Sequence, residues 1–92
     1  MTKYKLQLSK QSSKFLQKHP QLKSKFIVAF KAMTTNYEGA LNRFDIKKLK
    51  GSFLDTYRLR LSKYRAIFRV VNDKFILYVI EIGSRGDVYK KL

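Results

Sequence analysis

The sequence predicts one α+β domain over residues 1–92: two N-terminal helices on one face of a mainly antiparallel four-stranded sheet, in the order β-α-α-β-β-β with a short C-terminal tail. Three observations predict it. Leu22, Phe26, Ile27, Phe30 and Met33 recur at three- and four-residue spacing, the apolar stripe of a core-facing helix. Tyr57, Leu59 and Leu61, and after a break at Ser62-Lys63 also Tyr64, Ala66, Phe68 and Val70, place apolar residues at every second position, the mark of half-buried strands. Phe75 to Ile82, FILYVIEI, is an almost unbroken β-branched and aromatic run, as expected of a strand covered on both faces.

Taken in order, Tyr4 to Leu8 alternates and forms a short first strand. Ser9 suits the N-cap of a helix running to about Lys18, because its hydroxyl can accept from a first-turn amide. Pro20 opens a second helix, where its missing N–H costs nothing, and Thr34-Thr35-Asn36 ends it. Tyr37 to Gly51 is a long basic connection pinned to the body by Leu41, Phe44, Ile46 and Leu49, with Gly51 at a backbone angle other residues disfavour. Asn72-Asp73-Lys74 is a turn, and Gly83-Ser84-Arg85-Gly86-Asp87-Val88-Tyr89 leaves the last strand.

The central hairpin carries the chemistry. With Ser62 and Lys63 as a two-residue loop, Leu61 pairs with Tyr64, Arg60 lies opposite Arg65, and Arg58 lies opposite Ile67. One face then holds Tyr57, Leu59, Leu61, Tyr64, Ala66, Phe68 and Val70, and the other gathers Arg58, Arg60, Arg65 and Arg69. Like charges opposed across strands destabilise a sheet, so their collection there points to an anionic ligand. A one-residue slip would drive the arginines into the core.

Composition narrows the partner. Twenty-one Lys and Arg against six Asp and Glu give a formal charge of +15, a field suited to a polyanion. At 45% hydrophobic residues the chain folds rather than remaining a basic tail. No apolar run has membrane-spanning length, the N-terminus lacks a signal-peptide core, and no cysteine is present for a disulfide or thiolate site. His19 is the one histidine and reads as a helix-end residue, so neither a metal site nor a paired-histidine nuclease is expected.

Lys48-Leu49-Lys50-Gly51, Tyr57-Arg58-Leu59-Arg60, Tyr64-Arg65, the apolar last strand and Gly83-Ser84-Arg85-Gly86-Asp87-Val88-Tyr89, at their joint spacing, resemble the RelE/ParE superfamily of toxins from toxin–antitoxin systems. The resemblance spans nearly the whole chain. Its RelE branch implies a RelE-like fold and a metal-independent, ribosome-dependent mRNA endonuclease that attacks through the 2′-hydroxyl, needs no cofactor, and halts translation in the cytoplasm. It maps catalytic roles onto Arg58, Arg60, Arg65, Arg85 and Tyr89, and Arg43, Lys47, Lys48, Lys50, Lys63 and Arg69 are assigned to RNA contact. Guanidinium groups stay charged and grip phosphate oxygens in a fork, which suits stabilisation of a phosphorane. The general base is open among Tyr89, Asp87 and Glu81, since Ser84 stands where some relatives place a histidine; Tyr89 could instead stack on a base.

The implied partners are a cognate acidic antitoxin, the ribosome and its mRNA, and operator DNA only through the antitoxin complex, with no membrane. The bland readings are a passive RNA-binding protein, and for Lys14, Lys18, Lys23, Lys25 and Lys31 simple solvated helix faces. The rival from another class is a ParE-like toxin that inhibits DNA gyrase and cleaves nothing.

Overall fold

Ser9 both ends the first strand, β1 (Lys5–Leu8), and starts the first helix, α1 (Lys10–Lys18), its side chain accepting from the Ser12 amide at 3.1 Å. The structure, a computed structural model, describes residues 4–49, 56–71, 74 and 76–84. His19 separates α1 from α2 (Pro20–Thr35), which begins with proline in its first turn. Five further elements complete the described fold: α3 (Tyr37–Arg43), β2 (Asp45–Lys48), β3 (Thr56–Leu61), β4 (Tyr64–Val71) and β5 (Ile76–Ser84). Gly51, the Asn72-Asp73 part of the expected turn, and the tail from Arg85 onward lie outside the described residues.

The sheet has five strands in the order β1-β5-β4-β3-β2, parallel between β1 and β5 and antiparallel elsewhere. The expected architecture holds, with one helix and one strand more than expected. Both extra elements come from the stretch expected to be a connection. Asn36 caps α3 by accepting from the Gly39 amide at 3.1 Å, and Ile46 pairs opposite Leu59 as β2 adds an edge to the sheet.

The core lies between the helices and one sheet face. Leu16, Phe26, Ala29, Phe30 and Met33 pack there against Leu59, Ala66, Phe68, Leu77, Val79 and Ile82. Phe26 and Phe30 are stacked at 5.8 Å, as their four-residue spacing on one helix face allows. The expected stripe is therefore the core face, with Leu22 and Ile27 at its partly buried margin.

β5 differs from the expectation of cover on both faces. Leu77, Val79 and Ile82 are buried under the helices, whereas Ile76, Tyr78 and Glu81 are half-buried on the opposite side. Its register with β4 shifts between Ile67 and Phe68, leaving Ile80 as the extra residue of a bulge. Beyond Val79, β1 no longer flanks β5, and α1 takes over. Ser9 Oγ donates to the Ile80 carbonyl at 2.5 Å, while the Gln11 amide donates to the Ile82 carbonyl at 2.7 Å and accepts from its N–H at 2.9 Å. Three side-chain hydrogen bonds thus stand in for a neighbouring strand.

Candidate nucleic-acid interface

Strand pairing builds the site on the sheet face away from the helices. In the hairpin Leu61 pairs with Tyr64, Arg60 with Arg65, and Arg58 with Ile67, the register read from the sequence. The turn is closed by Ser62 at φ 58°, a left-handed angle, and by Lys63. Alternation then sends Arg58, Arg60, Arg65 and Arg69 to one face and Tyr57, Leu59, Ala66 and Phe68 to the core.

Pairing with β2 and β5 extends this face into rows. Asp45, Arg60, Arg65 and Gly83 form the row nearest the turn; Lys47, Arg58, Ile67 and Glu81 form the next. Arg69 lies one row further, between Thr56 and Tyr78. Glu81 therefore shares the arginine face, diagonal to Arg65 rather than directly opposite it. Gly83 contributes no side chain beside Arg65, and both residues are buried.

The arginines differ in setting. Arg60 is exposed, Arg58 is half-buried, and Arg65 is only 6% exposed. A guanidinium buried to this extent is better fixed in position than a solvated one. Arg58 Nη2 donates to Asp45 Oδ1 at 3.2 Å, across one diagonal of the β2–β3 pair. The sequence reading did not single out Asp45. The available signal was that it is the one acid between Arg43 and Lys50.

The other assigned cations divide. Lys47 joins the arginine face beside Arg58. Lys48, paired with Tyr57, belongs to the opposite register, and Lys63 sits exposed at the turn. Arg43 ends α3 with its guanidinium 5.3 Å from the Phe44 ring centre, away from the arginine rows. Lys50, Arg85 and Tyr89, with Asp87, lie outside the described residues. Ser84, which precedes Arg85 in the chain, pairs with Tyr64 immediately beside the Arg65–Gly83 pair. Among the described residues there is no cluster of three His, Asp or Glu able to hold a metal, and no helix long and apolar enough to cross a membrane.

The archaeal RelE–RelB complex from Pyrococcus horikoshii contains a chain 31% identical to this one, covering 94% of this chain and 98% of that chain with a TM-score of 0.73. The chain belongs to the RelE-like toxin superfamily. A Methanocaldococcus jannaschii protein named as toxin RelE1 is 42% identical over 48 residues, so the match spans about half of that curated relative and 52% of this chain. A RelB–RelE antitoxin–toxin complex from Methanococcus jannaschii gives a TM-score of 0.74 at 22% identity over 94% of this chain, a likeness of fold alone. No family model matches the sequence.

Proposed function

We propose that this RelE-like chain is the toxin of a type II toxin–antitoxin pair and acts as a ribosome-dependent, metal-independent mRNA endonuclease in the cytoplasm. The observation that carries the reading is the Arg60–Arg65 row with Arg58 beside it: three guanidinium residues on one face of two adjacent strands. Cleavage requires a base for the 2′-hydroxyl, stabilisation of a phosphorane with extra negative charge, and help for the departing 5′-oxygen. Arg65, buried on the arginine face, and Arg60, exposed opposite it, are suited to take phosphate oxygens from two sides. Arg58, oriented by Asp45, and Lys47 extend the same positive surface along the RNA backbone.

Arg85 and Tyr89 are proposed to complete the set, Arg85 at the phosphate and Tyr89 as base or as a stacking platform. Glu81, on the arginine face, is the alternative base, together with Asp87. Lys50, Lys63 and Arg69 are proposed as further RNA contacts. Arg43 and Lys48, off that face, would act only where ribosomal RNA wraps the domain.

Partner proposals follow the solved relatives, which were found with a RelB antitoxin. An acidic antitoxin would neutralise the basic face, and the pair would reach operator DNA through the antitoxin. The deciding experiment maps mRNA 5′ ends in a translation reaction with the purified protein added. New ends in translated codons are expected, and they disappear with Arg65→Ala. Intact mRNA together with lost gyrase supercoiling would instead support the ParE-like reading.

A further inference from the structure

A second concave surface lies around the hairpin end from the arginine face, on the helix side. It is a cavity of about 600 Å³ lined by Lys18, His19, Pro20, Gln21, Leu22 and Tyr64, where the α1–α2 junction meets the start of β4. Nothing in the proposed cleavage uses it. The His19 ring stacks on Phe15 at 4.2 Å with an interplanar angle of 21°, and its Nδ1 lies 2.8 Å from the Phe15 carbonyl. Because a carbonyl only accepts, Nδ1 is the donor and the ring's orientation is held. Tyr64 stands 6.1 Å from His19 and meets Phe15 edge-on at 5.6 Å.

We infer that this cavity is a docking site for an unpaired RNA base, which stacks on the His19 ring and meets Tyr64 at an angle while Lys18 meets the attached phosphate. The inference rests on the RNA-directed reading given above. Two held aromatic rings, a side-chain amide with both donor and acceptor atoms at Gln21, and a neighbouring cation are the parts that single-stranded RNA recognition employs. A bare anion would have no use for the rings, and a purely apolar ligand none for Lys18 and Gln21. A volume of this size also falls in the range that holds a small ligand.

Its place in the fold supplies the link to the cleavage face. Tyr64 and Arg65 are consecutive, so they project to opposite sides of the sheet, and the exposed Ser62-Lys63 turn separates the two surfaces. A strand gripped by Arg60 and Arg65 can pass over Lys63 and insert a neighbouring base beside Tyr64. The cavity would then set the register of the RNA on the enzyme, and not the chemistry of cleavage.

The test is a titration of ¹⁵N-labelled protein with 5′-AMP, adenosine and inorganic phosphate separately, followed by amide chemical shifts. The expected result is that 5′-AMP moves the amides of Lys18, His19, Gln21, Leu22 and Tyr64. His19→Leu should weaken that binding about ten-fold, and His19→Phe, which keeps a ring on Phe15, should restore it. Lys18→Ala, at an exposed position, should weaken 5′-AMP but leave adenosine unchanged. The proposal is overturned if these amides stay still, or if phosphate alone reproduces the 5′-AMP shifts at the same concentrations. Binding here without mRNA cleavage would keep the cavity and sink the nuclease reading; cleavage without these shifts would do the reverse.

Discussion

Arg60 and Arg65 are register partners across the β3–β4 hairpin, one exposed and the other 6% exposed, in the row next to the turn. Two like charges so placed repel across the pair, and under the proposed function a phosphate arriving between them would offset that repulsion. Removing the exposed member separates the two effects. Arg60→Ala should leave stability within about 0.5 kcal/mol of the parent, as surface changes usually do. It should lower the cleavage rate by roughly 10²-fold, the scale of a lost oxyanion donor. Thermal melts alongside single-turnover cleavage check both halves, and unchanged cleavage would remove Arg60 from the site.

Asp45 holds Arg58 and, under the proposed function, would also compete with RNA for it. Asp45→Asn should therefore tighten binding to single-stranded RNA while slowing cleavage, because the guanidinium gains availability and loses orientation. Measuring affinity and single-turnover rate on the same preparation exposes the opposed changes. A fall in both would show that the carboxylate serves only the fold.

Salt should act strongly on RNA binding. Engagement of three or four phosphates by Lys47, Arg58, Arg60 and Arg65 predicts that log Kobs falls against log salt with a slope of about −2 to −3. Arg60→Ala should shallow it by roughly 0.7. A flat titration would contradict the electrostatic account.

Gln11 saturates both backbone groups of Ile82 where β1 no longer reaches. Gln11→Ala should cost about 1–2 kcal/mol, since two part-buried groups must turn to water. For a domain of this size that is a melting-point loss of about 4–16 °C. Gln11→Glu, which can still accept from the Ile82 N–H but cannot donate to its carbonyl, should fall between. Equal melting points for all three proteins would mean water replaces these bonds at no cost.

Ser62 holds a φ of 58°, an angle that glycine adopts without steric penalty. Ser62→Gly should raise stability by about 0.5–1 kcal/mol, the relieved strain outweighing the added freedom of the unfolded chain. Denaturant midpoints measure it. A loss of stability would indicate that the serine side chain itself supports the turn.

The hairpin register, the helix stripe and the charged face were all legible in the residues. Each is a periodic pattern with a penalty for error: one step of slip in β3 or β4 exchanges Leu59 and Phe68 for arginines in the core. α3 and β2 were not legible. β2 has four residues with a single apolar member, Ile46, on its core side, so its identity as a strand comes from pairing with β3 and not from its own pattern. The apolar run of β5 was misread for a related reason: local sequence marks a strand as central but does not say whether a second layer covers it.

By itself, then, the sequence determined the period of each long element, the side of the sheet on which the guanidinium groups collect, and the sign of the field they make. Only the tertiary structure decided which residues from distant segments meet: Asp45 with Arg58, Gln11 with Ile82, and Lys18, His19 and Tyr64 around one cavity. Periodicity is local and repeats within a few residues. A meeting between segments depends on how the helices and strands pack, and no short window of residues encodes that geometry.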